Sequence, residues 1–386
     1  QHQPQSQPPP FLASRSGPVA SGADGAASLK LSIGAAISGA KNLAPWRLWT
    51  GAVIGQSDSL SGRVWLESPP LAGTGWLASW RSLVGCYLDR TVFEQAAFEN
   101  RSRGCFCGLS YASRTAQCTR RRHSLLLDAS ARQFSLTPEE ATAALADSPE
   151  AVVALPSAWR LSLRHNSEWD ARDCPAAPAC GWLIRCSNEL AAFDAGGGER
   201  PGDIGVLLRH RTTAQAIWRL PLQHLLGNCC PSLSARLDFC KCFAADDRAP
   251  FEDRFPFGGA AAGVRGFAPN RAGPSFPPPL ADWGSGDNRR WFGRRYVGGL
   301  FRLAVGLEAS IATPLAPSVR LRAFVDAGCV ASMEDAGLGV ACGLGAACPV
   351  AGGAARLELN WCWAPWPRLD TDAAVPGLSA CLLAEY

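Results

Sequence analysis

From Ser28 onward, apolar and polar residues alternate with a period of two. In SLKLSIGAAIS, residues 28–38, Leu29, Leu31, Ile33, Ala35 and Ile37 share one face, and Lys30, Ser32, Gly34, Ala36 and Ser38 share the other. The pattern sharpens toward the other end. Along residues 302–311, Leu303, Val305, Leu307, Ala309 and Ile311 alternate with Arg302, Ala304, Gly306, Glu308 and Ser310. Along residues 318–327, Val319, Leu321, Ala323 and Val325 alternate with Arg320, Arg322, Phe324 and Asp326. Leu357, Leu359, Trp361 and Trp363 alternate with Arg356, Glu358, Asn360 and Cys362, and shorter cases occur at Trp159–Arg164 and Gly62–Ser68. Strict alternation predicts strands with one apolar face, hence an all-β fold.

Two architectures fit. A soluble barrel or sandwich turns the apolar face inward; a transmembrane barrel turns it to lipid and its charges to a wet lumen. The second is favoured by mid-strand Arg, Glu and Asp on the polar face and by lysine occurring only at Lys30, Lys41 and Lys241. Fourteen tryptophans, several near predicted strand ends, suit interfacial girdles. No run reaches the ~18–20 apolar residues of a spanning helix, but a barrel strand needs only about 9–11. Open sheet edges cannot sit in hydrocarbon, so the prediction is a closed antiparallel barrel. At about 22 residues per strand and connection, residues 27–386 supply on the order of 16 strands. Strands between Tyr87 and Leu155 are hard to place, and LTPEEATAALADSPEA, residues 136–151, reads as a surface loop with a short helix. Residues 1–26, rich in Pro, Gln, Ser and Gly, read as a flexible segment before the barrel at 27–386.

Chemistry changes this picture little. The net charge of +4 is too mild to argue for nucleic acid, and the dense basic run Thr119–His123 reads as a strand end. The 16 cysteines lack paired zinc-finger spacing, and the five histidines form no ligand cluster, so neither metal nor cofactor is expected. There is no nucleophile elbow, phosphate-cradling loop or dinucleotide fingerprint, which points away from an enzyme.

One stretch stands apart. PFGGAAAGVRGFAPNRAGP, residues 256–274, sets an arginine among glycines and alanines with aromatic flanks. It resembles the sixth-loop motif of the BamA-type outer-membrane insertase superfamily, a Gly-Gly followed by Val-Arg-Gly-Phe or Val-Arg-Gly-Tyr. Val297-Gly298-Gly299 with the strand after it, then VRLRAFVDAG at 319–328, resemble the family's next two strands in order and spacing. GAARLELNWC, residues 353–362, is most similar to the core barrel of the mitochondrial sorting and assembly machinery.

The resemblance implies a long loop folded into the barrel, with Gly258, Gly259, Val264, Arg265, Gly266 and Phe267 as its lock. Arg265 would reach Glu308 and Asp326, both on the polar phase; the glycines would let the backbone approach the wall and Phe267 would pack there. It implies insertion and folding of β-barrel precursors into the mitochondrial outer membrane, through a lateral gate between first and last strands. The chloroplast outer envelope and a passive pore are the alternatives. The gate strand would be Leu29–Ile37, with Leu29, Leu31, Ile33, Ala35 and Ile37 on one face, and the last strand Gly377–Tyr386. Implied partners are barrel precursors, membrane lipid and accessory outer-membrane subunits. Family members usually carry polypeptide-transport-associated domains before the barrel, whereas only 26 residues precede the first candidate strand, so none is expected in this chain.

Overall fold

The computed structural model describes residues 29–37, 46–54, 60–70, 80–93, 98–114, 119–136, 158–174, 178–194, 204–221, 231–244, 253–259, 263–268, 275–276, 295–296, 298–313, 316, 318–331, 336–350, 355–367 and 376–384. Ten strands come first: β1 Leu29–Ile37, β2 Trp46–Ile54, β3 Leu60–Glu67, β4 Trp80–Phe93, β5 Phe98–Arg114, β6 Arg120–Leu136, β7 Ala158–Asp170, β8 Gly181–Asp194, β9 Ile204–Arg219 and β10 Ser232–Ala244. A two-residue pair follows, β11 Ser275–Phe276 with β12 Arg295–Tyr296. Then come β13 Phe301–Ala312, β14 Arg320–Ala331, β15 Ala336–Val350, β16 Ala355–Pro367 and β17 Gly377–Ala384. All but β11 and β12 form one 15-stranded antiparallel sheet, in which chain neighbours pair and β10 bonds directly to β13. The chain is all-β, and no helix among the described residues is long and apolar enough to cross a membrane.

Two expectations meet the described sheet. Among the described residues it has 15 strands, where about 16 were expected. Among the described residues no ladder joins β1 to β17, so the sheet is not closed. With every described neighbour antiparallel, the first and fifteenth strands run the same way, so these two edges could meet only as a parallel pair.

The faces are inverted relative to a water-soluble protein. Leu307 is 59% exposed and Trp361 63%, and Val305, Leu321, Val325, Leu357, Leu359 and Trp363 also face out. On the opposite phase Arg302 and Asp326 are 0% exposed, and Arg320, Arg322, Glu358 and Asn360 are buried. An exposed apolar wall backed by buried charge suits a surface that meets lipid. Exposed Trp159, Trp182 and Trp218 continue that wall. Trp76 lies outside the described residues, as do the side chains of Trp46, Trp49 and Trp366. So do residues 1–28 and 137–157, together with the proposed surface loop and its helix.

Candidate functional site

Two described stretches between β10 and β13 lie on the buried polar face of the sheet. Residues 253–259 and 263–268 touch side chains from β7 to β16 and are held at three points. The middle one is backbone. Phe255 exchanges two hydrogen bonds with Gly299, at 2.8 and 3.0 Å. Its ring packs with Leu207, Cys240, Cys242 and Leu300, and the Arg209 guanidinium lies 4.6 Å from the ring centroid. Arg302 donates to Pro256 O at 2.8 Å and to Asp238 Oδ2 at 2.5 Å, coupling the loop backbone to β10 and β13.

The second point is Arg265. Its backbone N–H donates to Asp326 Oδ2 at 3.1 Å, Nε to the same oxygen at 2.7 Å and Nη2 to Oδ1 at 3.0 Å. Nη1 donates to Glu308 Oε2 at 2.8 Å, and the guanidinium carbon sits 3.6 Å from the Phe324 ring centroid. Three partners are thus arranged around one planar cation, the geometry in which an arginine tolerates burial. Burial opposes its charge, but the hydrogen bonds and charge of Asp326, then Glu308 and Glu358, outweigh that and raise its pKa above the ordinary guanidinium value. Asp326 stands opposite Gly306 in the β13–β14 register, where a Cβ would lie 2.7 Å from its Oδ1. The network continues along the wall: Arg322 bonds Glu358 at 2.7 Å and Asn360 at 3.0 Å and reaches Glu308 at 3.4 Å.

The third point, at Asp253, was not foreseen. Asp253 accepts hydrogen bonds from Arg160 of β7, which also donates to Glu189 of β8 at 2.9 Å. Arg164 donates to the same Glu189 oxygen at 2.7 Å. Here the wall supplies the cation and the loop the anion, the reverse of the Arg265 clamp. Arg160 and Arg164 already stand on the polar phase of the Trp159–Arg164 alternation, but nothing local marks Asp253, between Phe251 and Phe255, as their partner.

The structure brings all the predicted loop residues into this assembly, each in its own way. Val264 is 0% exposed, and its N–H donates to Gly259 O at 3.2 Å. Gly266 approaches the wall closely: a Cβ there would lie 3.1 Å from Ala341 Cβ and 3.3 Å from Cys362 Cβ. Gly258, at φ 103°, instead serves the loop itself, since a Cβ would lie 2.4 Å from Ala268 O. Phe267 packs with Phe257, Val264, Ala304, Val330 and Ala341. The two rings, 6.3 Å apart, lie over Gly328 and Gly339, which face each other across the β14–β15 ladder. A Cβ at either glycine would come within 2.7 Å of a ring carbon. Both wall glycines escaped the sequence reading, although Gly328 follows Asp326 on the same phase. The candidate gate residues Leu29, Leu31, Ile33, Ala35 and Ile37 form the edge strand β1, paired to β2 alone; their side chains lie outside the described residues.

A model of the Omp85 superfamily domain matches residues 54–372. The chain belongs to the Omp85 superfamily. Its fold is that of the Omp85 family of β-barrel insertases and transporters. Among solved structures it is similar to BamA from Haemophilus ducreyi lacking POTRA domains 1–3, with a TM-score of 0.63 at 12% identity over 93% of this chain and 70% of that one. CdiB from Acinetobacter baumannii gives a TM-score of 0.48 at 14% identity, over 92% of this chain and 56% of that one. CdiB from Escherichia coli gives 0.45 at 13%, over 92% and 61%. No curated protein sequence matches significantly. Among the described residues no group of three or more His, Cys, Asp or Glu is placed to hold a metal ion.

Proposed function

We propose that this Omp85 protein inserts and folds β-barrel precursors in the mitochondrial outer membrane, through a seam between the two edges of its sheet. The observation that carries the reading is the pair of edges, β1 and β17, which no ladder joins among the described residues, in a wall whose exposed face is apolar. Free backbone donors and acceptors are unacceptable in hydrocarbon, so an edge there demands a strand. A precursor's strand, adding by backbone hydrogen bonds, meets that demand and is templated by it. In the membrane the sheet would curl into a barrel about its polar face, and residues 253–259 and 263–268, locked by Arg265 to Glu308 and Asp326, would brace the wall from β7 to β16. Accessory outer-membrane subunits would deliver precursors. The similarity of residues 353–362 to the mitochondrial core barrel supports that membrane over the chloroplast outer envelope.

The test is reconstitution of the chain in liposomes with a radiolabelled porin precursor. The expected result is precursor that becomes resistant to alkaline carbonate and to protease. Ion conductance without any precursor assembly would overturn the reading in favour of a passive pore. The loop and ion pairs packed on the polar face weigh against that alternative.

A further inference from the structure

The outward face of the sheet is not apolar throughout. On β13 and β14 its phase carries only apolar residues, from Phe301 to Ala331. On β8, β9 and β10 a polar row interrupts it, with Asn188, His210 and Lys241 directly opposite one another in the two ladders. His210 Nδ1 donates to Asn188 Oδ1 at 2.7 Å, and Thr212 Oγ1 lies 2.8 Å from His210 Nε2 and 3.5 Å from Cys186 Sγ. The row does not lie at the rim of the wall. Along β9, exposed Val206 and Leu208 precede it and exposed Trp218 follows; along β8, Trp182 and Ile184 precede it and Leu190 follows. On β10, exposed Leu237 and Phe243 flank Lys241. Hydrocarbon offers no hydrogen-bond partner, so ionisable and amide groups inside an apolar band mark a site. The Lys241 ammonium lies beside two rings, Phe243 at 5.2 Å and Phe301 at 5.9 Å from their centroids. Among the described residues no acceptor meets that ammonium or the Asn188 amide nitrogen. What the row lacks is a negatively charged acceptor.

A groove of about 610 Å³ opens on the same face, next to this row. Its floor is alanine. Ala214 stands between Ile184 and Leu237, and Ala216 and Ala235 stand between Trp182 and Leu307. Three ladder steps of ~4.8 Å set Trp182 and Leu307 about 14 Å apart, room for the ~10–12 Å of a helix with its side chains. Small residues let a helix come close in a membrane, where packing and polar contacts drive association. From His210 to Ala216 is ~20 Å of strand, which about 13 residues of helix would cover.

We propose that the outer wall of β8, β9, β10 and β13 docks a membrane-spanning helix of a partner subunit. The helix sits on Ala214, Ala216 and Ala235 and carries an acidic side chain that meets Lys241 and the Asn188 amide. Charge decides the occupant. An acyl chain would fill the groove and leave the ammonium and the amide unbonded, whereas a carboxylate on a helix answers both groups from within the apolar band.

This inference rests on the exposed face meeting lipid and does not depend on insertase activity. It is tested on the full chain in phosphatidylcholine liposomes without precursor. A benzophenone amino acid replaces Ile184 or, as control, Leu344, which is exposed on β15. The probe is a Leu-Ala transmembrane peptide of about 20 residues with one central Glu, or Gln in its place. With the Glu peptide, position 184 should give about fivefold more adduct than position 344, falling to the Gln-peptide level in Lys241→Met. Ala216→Leu, which fills the groove floor and leaves every charge in place, should lower the same adduct. Equal adducts from the two positions, or equal adducts with the two peptides, would overturn the proposal. Adducts with lipid alone would mean that acyl chains fill the groove, and adducts to a second copy without peptide would make the face a self-contact. Either result overturns it too.

Discussion

Arg265 and Asp326 meet through three hydrogen bonds, one of them from the arginine's own backbone N–H at 3.1 Å. The aspartate therefore fixes the loop backbone as well as the side chain, and no other residue type at 265 reproduces both. Removing the guanidinium leaves a carboxylate with no exposure and one remaining donor from the loop. Arg265→Ala should cost about 3–5 kcal/mol, as expected when one partner of a buried pair is removed. Arg265→Lys should recover only part of that, because an ammonium cannot span Asp326 and Glu308 together. Urea titration of the folded, bilayer-inserted protein, followed by tryptophan fluorescence, measures both.

The Asp253 anchor should be weaker than the Arg265 clamp. Asp253→Ala leaves Arg160 with Glu189 at 2.9 Å, so no buried cation is stranded, and the cost should be roughly 1–3 kcal/mol. Arg160→Ala removes the shared partner of two acids and should cost more. The order R160A above D253A is the prediction; equal effects in the same titration would mean that the Arg160–Glu189 pair adds nothing to the Arg160–Asp253 pair.

A methyl group added to the wall should act through the loop aromatics. Gly339→Ala places a carbon 2.7 Å from the Phe267 ring and should destabilise by roughly 1–3 kcal/mol. In the double variant with Phe267→Ala the two losses should sum to less than their separate values, since the clash disappears with the ring. Additive losses would place the effect in the β14–β15 ladder instead.

The apolar face can be probed from the outside. Leu307, 59% exposed near the middle of β13, would accept arginine with little loss if it faced water. Facing the midplane of a bilayer, Leu307→Arg should cost ~2–4 kcal/mol. Comparing bilayer-inserted wild type and variant by urea titration decides which solvent that face meets.

Much of the wall was legible because its alternation is clean. Leu303–Ile311 and Val319–Val325 fall within or beside β13 and β14, and Leu29–Ile37 is β1. β5 and β6 were obscured. The run Leu125-Leu126-Leu127 breaks the period because Leu126 turns to the otherwise polar side and packs with Trp65, Leu83 and Phe106. An apolar cluster on that side erases the contrast that alternation depends on.

Of the loop site, Arg265 and its two acids could be named because the loop motif resembles the family's, and alternation set Glu308 and Asp326 on the polar phase. Asp253, Gly328 and Gly339 could not. Their significance lies in contacts between segments far apart in the chain, and nothing local marks a glycine as the floor beneath a distant ring.

The sequence by itself determined which residues of each strand meet apolar surroundings and which line the charged face, because side-chain phase is a property of neighbours two apart. Only the tertiary structure decided the strand count, the shared direction of the two edges and the reversed polarity of the loop's two ionic anchors. Those depend on how many times the chain crosses and on which distant side chains a buried charge can reach.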